Sequence, residues 1–313
     1  MRQLLKIILL PSLLLILHVQ PVSGQQDPIL TQYMFNTLAL NPAYAGTGGV
    51  LNAMITTRHQ WVGFDDAPST QTFTIHTPVS SANFGAGLSF IHDKIGPVTN
   101  TTAFLDYAYH LHLNRQVKLS LGLKGGFSHY QKDLSRYITE VGADDNAYSE
   151  PSETSFLPNF GFGAYAWSGR FYFGLSVPRL IENQFDNDDQ NASTLIPKEN
   201  RLYLLMGGLA IPIHRELVLK PSFILRATNS APLSGDVNLS LLIRDRLWTG
   251  AMWRPGEAVG LILQYRITDQ LSAGYAYDIN TNKLLSQFGN THEIMVSFEL
   301  NFQKERVLNP RYF

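Results

Sequence analysis

The chain has 313 residues and is almost neutral, with 24 Lys and Arg against 25 Asp and Glu. Only 16% of its residues are charged, well below the quarter expected of a soluble domain. It has no cysteine, which excludes disulfide bonds and thiol chemistry, and it has no basic stripe of the kind that binds nucleic acid.

Residues 1–24 have the pattern of a cleaved secretory signal peptide. Arg2 and Lys6 precede an apolar run that Pro11 interrupts, and the small residues Ser23 and Gly24 form the cleavage region. The run falls short of the roughly 20 residues that a spanning helix requires. We therefore expect an exported protein whose mature chain has no transmembrane helix.

The next segment, residues 25–49, precedes the regular part of the sequence. Asp27-Pro28 is typical of a helix start, and a short helix could run to about Leu40, before Asn41-Pro42. This segment could plug a lumen or lie on the periplasmic side.

A period of two dominates the remainder of the chain. From Thr102 to Leu113, apolar residues alternate with polar ones, and the same pattern recurs in 117–128 and in 293–303. Such alternation indicates β-strands with one apolar face. Aromatic residues near strand ends, including Tyr107, Trp248, Trp253 and Tyr275, suit the girdles of a membrane barrel.

The pattern predicts about fourteen strands, from residue 50 to residue 303, with a tail at 304–313. The predicted connections alternate between tight and mostly longer ones. The tight ones are at 79–82, 114–115, 168–169, 212–216, 244–246 and 268–270, and the others are at 59–69, 94–101, 129–155, 179–200 and 279–291. Short periplasmic turns alternating with long outer loops are typical of an up-and-down barrel. We therefore predict an all-β fold, a closed antiparallel transmembrane β-barrel in the outer membrane, with both termini periplasmic.

The inward faces of this barrel should be polar. Asp106, Lys118, Lys124, Glu293 and Glu299 would lie in the lumen, where water or mutual pairing accommodates them.

Two groups of residues could hold a metal, but a polar lining and a solvated loop explain them better. The first is His110 and His112 with Asp106; the second is the loop containing Asp186, Asp188 and Asp189, which does not have EF-hand spacing. Asp144-Asp145 has the same interpretation. No spacing recommends a Ser–His–Asp set, so we expect neither an enzyme nor a cofactor.

Several motifs resemble those of the PorP/SprF family. They are Asp27-Pro-Ile-Leu-Thr-Gln-Tyr-Met-Phe-Asn36, Asn41-Pro-Ala-Tyr-Ala-Gly46, Gln60-Trp-Val-Gly-Phe64, Leu157-Pro-Asn-Phe-Gly-Phe-Gly163 and Gly274-Tyr-Ala-Tyr-Asp278. The first and third are the most specific. The resemblance implies an outer-membrane protein of the type IX secretion system, some relatives of which serve gliding motility. It also implies partners: secretion or gliding machinery proteins, and secreted surface proteins or adhesins.

The candidate partner-binding residues are Tyr33, Phe35, Asn41, Pro42, Tyr44, Trp61 and Phe64. The segment 41–46 could instead be a turn that seats the first strand, and Trp61 and Phe64 could anchor in the membrane interface. The function expected is non-enzymatic attachment or export of surface proteins by protein–protein contacts. A channel for small or hydrophobic solutes is the alternative, since a barrel of this size can enclose a lumen.

Overall fold

The structure, a computed structural model, describes residues 28–79, 83–133, 153–183, 199–282 and 287–301. The predicted signal peptide, the tail at 304–313 and both Asp-containing loops lie outside these residues. No helix in the described part of the chain is long and apolar enough to cross a membrane.

The described residues form fourteen strands in chain order. They are β1 (Leu51–His59), β2 (Ser69–Val79), β3 (Phe84–Ile95), β4 (Val98–His112), β5 (Lys118–Lys132), β6 (Glu153–Trp167), β7 (Phe171–Val177), β8 (Leu202–Leu209 with Ile211–His214), β9 (Leu217–Thr228), β10 (Ala231–Ile243), β11 (Leu247–Arg254), β12 (Ala258–Arg266), β13 (Leu271–Asn280) and β14 (Thr291–Leu300). The two parts of β8 keep one register against β9 across Ala210, so they count as one strand.

The sheet closes on itself, as the sequence predicts. Every strand is antiparallel to its neighbours in the chain, and β1 pairs with β14 from Leu51–Leu300 to His59–His292. A closed barrel leaves no strand edge unpaired, which a lipid environment requires because hydrocarbon offers no hydrogen bonds. The pairing of β1 with β14 is called the seam below.

The outer face of the barrel is apolar and the inner face is polar. On β4 and β5, Leu105 and Leu123 point outward and are 68% and 64% exposed, whereas Asp106 and Lys124 beside them are buried inside. An apolar surface this continuous is unstable in water and matches the acyl chains of a bilayer.

The connections sort by length at the two ends of the barrel. At the tight-turn end, every connection is short: 80–83, 113–117, 168–170, 215–216, 244–246 and 267–270. At the long-loop end, 60–68, 133–152, 178–201 and 281–290 are long, but 96–97, 229–230 and 255–257 are tight. The long loop predicted at 94–101 is therefore wrong: Gly96, at φ +56°, allows a two-residue turn, and β4 begins at Val98.

Residues 28–50 lie inside the barrel and are called the plug. Turns occupy 31–35, the helix α1 spans only Thr37–Leu40, and a 3₁₀ turn follows at Pro42–Tyr44. The helix expected to start near Asp27 is thus much shorter. Wall side chains bond several backbone groups of this segment, including the amides of Thr31 and Gln32 and the carbonyl of Ala39.

A charge placed on the outer face tests the membrane orientation of the strands. Leu123→Arg puts a guanidinium in mid-bilayer and should destabilise the barrel by about 2–4 kcal/mol in urea titrations on lipid vesicles. Gln131→Arg lies on the same face of β5, near the end of the strand, and should cost far less. Equal costs at the two positions would contradict the orientation.

Candidate functional site: the plug and the aromatic rim

The plug runs through the lumen between the two ends of the barrel. Pro28 lies at the long-loop end, in a cavity lined by Asp93 and Thr228. Phe35 reaches the tight-turn end, where its ring meets the edge of Trp248 with centroids 5.0 Å apart. The chain then turns back towards the long-loop end, where Ala39 and Leu40 line the same cavity as Pro28, and it returns to the tight-turn end before Leu51 begins β1. Trp248 therefore faces inward, and its predicted place in the interfacial girdle is wrong.

A buried ionic cluster at the seam holds the start of the plug. Arg58, on β1, donates from Nη2 to Oδ2 of Asp278 at 2.9 Å and from Nη1 to Oε2 of Glu293 at 3.0 Å. The three side chains are at most 2% exposed. Buried charges are tolerated only when they are paired and hydrogen-bonded, so each member depends on the others. We call Arg58, Asp278 and Glu293 the seam cluster.

The plug adds hydrogen bonds to the seam cluster from its backbone and from the side chain of Thr31. The amides of Thr31 and Gln32 donate to the two carboxylate oxygens of Glu293 at 2.8 and 2.9 Å. The hydroxyl of Thr31 donates to Asp278 at 2.6 Å and accepts from Arg58 at 2.9 Å. One set of contacts therefore joins β1, β13, β14 and the plug.

A second cation holds the middle of the plug. Nζ of Lys124 donates to the carbonyl of Ala39 at 3.2 Å, at the end of α1, and lies 3.5 Å from Asp106. Asp106 also accepts a hydrogen bond from Ser89 at 2.6 Å. Lys124 thus satisfies a carbonyl group at the end of α1 that has no partner within the helix.

Inward glycines let the plug touch the wall. A Cβ atom on Gly122 would lie 2.1 Å from the amide nitrogen of Ala43, and one on Gly85 would lie 2.2 Å from the carbonyl oxygen of Ala45. Any side chain at these two positions would push the plug away.

Most of the predicted partner-binding residues belong to this internal packing. Tyr33, Asn41 and Pro42 are buried. Tyr33 contacts Ser222 and Asn238, while Asn41 donates to two wall carbonyls, those of Ala164 and Leu175. The Tyr44 ring meets the edges of His76 and Tyr165. These residues therefore face the wall rather than the exterior.

The remaining two candidates form an exposed patch at the long-loop end. The rings of Trp61 and Phe64 both pack on Phe288, with centroids 6.0 and 4.8 Å apart, and Phe64 is 50% exposed. The amide of Val62 donates to the carbonyl of Asn290 at 2.9 Å, which ties the two loops together. We call Trp61, Phe64 and Phe288 the aromatic rim. The sequence does not single out Phe288, because only the fold brings its loop beside Trp61.

The two candidate metal-binding histidines differ in position. His110 is buried, with Nδ1 3.1 Å from Oγ of Ser120, whereas His112 is exposed at the end of β4. Within the described ranges, no group of three or more His, Cys, Asp or Glu residues is placed to hold a metal. Lys118 is exposed and Glu299 only partly buried, so of the five predicted lumen charges three are fully enclosed.

Loss of the seam guanidinium should loosen the barrel and the plug together. Arg58→Gln leaves Asp278 and Glu293 buried without their cation, and breaking such a pair costs about 3–5 kcal/mol. Urea unfolding of the purified protein in lipid measures this cost.

The matched control is Arg244→Gln, which breaks an exposed pair with Glu216, the side chains being 72% and 55% exposed. Exposed pairs contribute little, so the control should unfold close to the wild type. Similar unfolding of the two variants would contradict the structural role of the seam cluster.

Comparison with solved structures identifies outer-membrane barrels of similar fold. A Pseudomonas aeruginosa FadL homologue matches at a TM-score of 0.51 and 12% identity, covering 90% of this chain and 96% of that one. The P. putida toluene transporter TodX matches at 0.49 and 8%, covering 86% and 95%. The Acinetobacter baumannii outer membrane protein Omp33 matches at 0.47 and 9%, covering 80% and 98%. At 12% identity, the likeness to the FadL homologue shows the fold alone.

Comparison by sequence identifies the family. No protein of curated function matches the sequence. The profile of the type IX secretion system membrane proteins PorP/SprF matches residues 22–298, almost the whole of the described barrel and plug. The resemblance seen in the opening and Gln-Trp-Val-Gly-Phe motifs is confirmed. The chain is an outer-membrane β-barrel that belongs to the PorP/SprF family of type IX secretion system membrane proteins.

Proposed function

We propose that this protein is a non-enzymatic component of a type IX secretion or gliding apparatus that attaches, or helps to export, surface proteins by protein–protein contacts. Its partners are proteins of that apparatus and secreted surface proteins or adhesins, and its barrel wall contacts outer-membrane lipid. The tight-turn end faces the periplasm and the long-loop end faces outward.

The plugged lumen is the observation that carries this proposal. Thr31, Gln32, Ala39 and Asn41 are all hydrogen-bonded to the wall. The buried carboxylates Asp106, Asp278 and Glu293 take part in these contacts or pair with cations that do. Such a lumen supports a scaffold better than a catalyst or an open pore.

The aromatic rim is the surface we propose for docking. Partly exposed aromatic side chains clustered at an exposed end are typical of binding hot spots, because a partner desolvates a large rigid area at little entropic cost. Trp61 and Phe64 extend from a loop that Val62 fixes to the 287–290 loop, which preorganises the patch. The other five candidates, Tyr33, Phe35, Asn41, Pro42 and Tyr44, then position the plug rather than touch the partner.

Removal of the aromatic rim should weaken attachment without unfolding the barrel. Trp61→Ala with Phe64→Ala should lower, by at least tenfold, the amount of surface protein that co-purifies from detergent-solubilised envelopes. The surface protein should then appear in the medium.

The control for the rim is Tyr265→Ala, an exposed outward aromatic in the tight-turn half of β12. It should leave co-purification unchanged while the barrel assembles in equal amount. Retention of the surface protein by the double variant would contradict docking at the rim, and equal loss in both variants would point to general destabilisation.

A solute channel is the alternative, and conductance separates it from attachment. The plug is hydrogen-bonded to the seam cluster and to Lys124, so the purified wild-type protein should conduct no steady ion current in planar bilayers. Steady conductance by the wild type, independent of envelope partners, would favour the channel.

A further inference from the structure

The start of the plug lies on the long-loop side of the seam cluster. Ile29 and Pro28 line a cavity of about 90 Å³. Most of its other lining residues belong to the long-loop halves of the strands or to the loops beyond them, and include Asp93, Asn100 and Ser230. Thr31, two residues after Ile29, is hydrogen-bonded to Arg58 and Asp278, which lie next to the long-loop ends of β1 and β13.

The other described end of the chain lies at the opposite mouth. Leu300 ends β14 beside Leu51, the first residue of β1, at the tight-turn end. Pro28 and Asn301 are therefore separated by the height of the barrel wall, about 25 Å in its apolar band alone. The expectation that both termini emerge on one side does not describe these two residues.

We infer that the mature amino terminus is threaded through the lumen and displayed at the long-loop mouth, on the opposite side of the membrane from the tight turns. With cleavage after Gly24, only Gln25, Gln26 and Asp27 precede Pro28. Three residues reach at most about 10 Å, too little to return past the seam cluster to the tight-turn mouth. In the orientation of the proposed function, on which this step rests, the terminus faces outward and is accessible to extracellular partners.

The threaded path has a consequence for assembly. The seam cluster contains residues from β1, β13, β14 and the plug, so closing the barrel and fixing the terminus occur together.

Single-cysteine labelling tests the inference, because the native chain contains no cysteine. Three variants are compared: Gln26→Cys at the terminus, Asp65→Cys in the 60–68 loop and Asp269→Cys in the 267–270 turn. Each is treated on intact cells, and again after the outer membrane is breached, with a polyethylene glycol maleimide too large to cross that membrane. Amino-terminal sequencing of the purified protein locates the cleavage site.

The expected result is that the cysteine at position 26 reacts on intact cells to the same extent as the one at position 65, while the one at 269 reacts only after breaching. The inference would be overturned if the cysteine at position 26 reacted only after breaching, as the one at position 269 should. It would also be overturned if the cysteine at position 26 reacted neither before nor after breaching. If the cysteine at position 269 reacts on intact cells and the one at position 65 does not, the orientation in the proposed function is wrong. The threaded path is still supported in that case, provided that the cysteine at position 26 reacts under the same conditions as the one at position 65.

Discussion

The contact of Arg58 with Asp278 and Glu293 is the interaction on which most of the structure depends. A barrel made from one chain must join its first and last strands, and here that junction carries a buried cation between two buried anions. The pairing becomes more favourable as more of its polar atoms find hydrogen-bond partners. The amides of Thr31 and Gln32 supply the missing donors to Glu293, so the plug becomes part of the seam.

The lumen of this barrel is packed in the manner of a protein core, although its lining is polar. Glycines at positions 85 and 122 bring the wall within van der Waals contact of the plug backbone, and Lys124 satisfies carbonyl groups at the end of α1. The hydrophobic surface is correspondingly on the outside, where side chains such as Leu105 and Leu123 face lipid. In the part of the chain that the structure describes, the plug thus fills much of the lumen.

The alternation of residues predicted the closed barrel, because period two and the length of the apolar stretches follow directly from strand geometry in a bilayer. Where prediction failed, the deciding contact was distant in sequence or hidden in one turn. The sequence around Gly96-Pro97 predicts a longer loop, whereas the chain makes a two-residue turn there. Trp248 has the pattern of an interfacial residue, because nothing near it in sequence indicates its contact with Phe35. The place of Glu293 in the lumen was predictable, whereas its use as an acceptor for the plug was not.

Amide hydrogen exchange in the plug is the most direct measurement of the central claim, that residues 31–46 are fixed inside the barrel by the seam cluster and the wall. With the purified protein in lipid, the amides of Thr31 and Gln32 should exchange as slowly as those of the neighbouring strands, because both donate to buried oxygens of Glu293. Exchange of these two amides at the rate of an unstructured peptide, while the strands stay protected, would contradict the account.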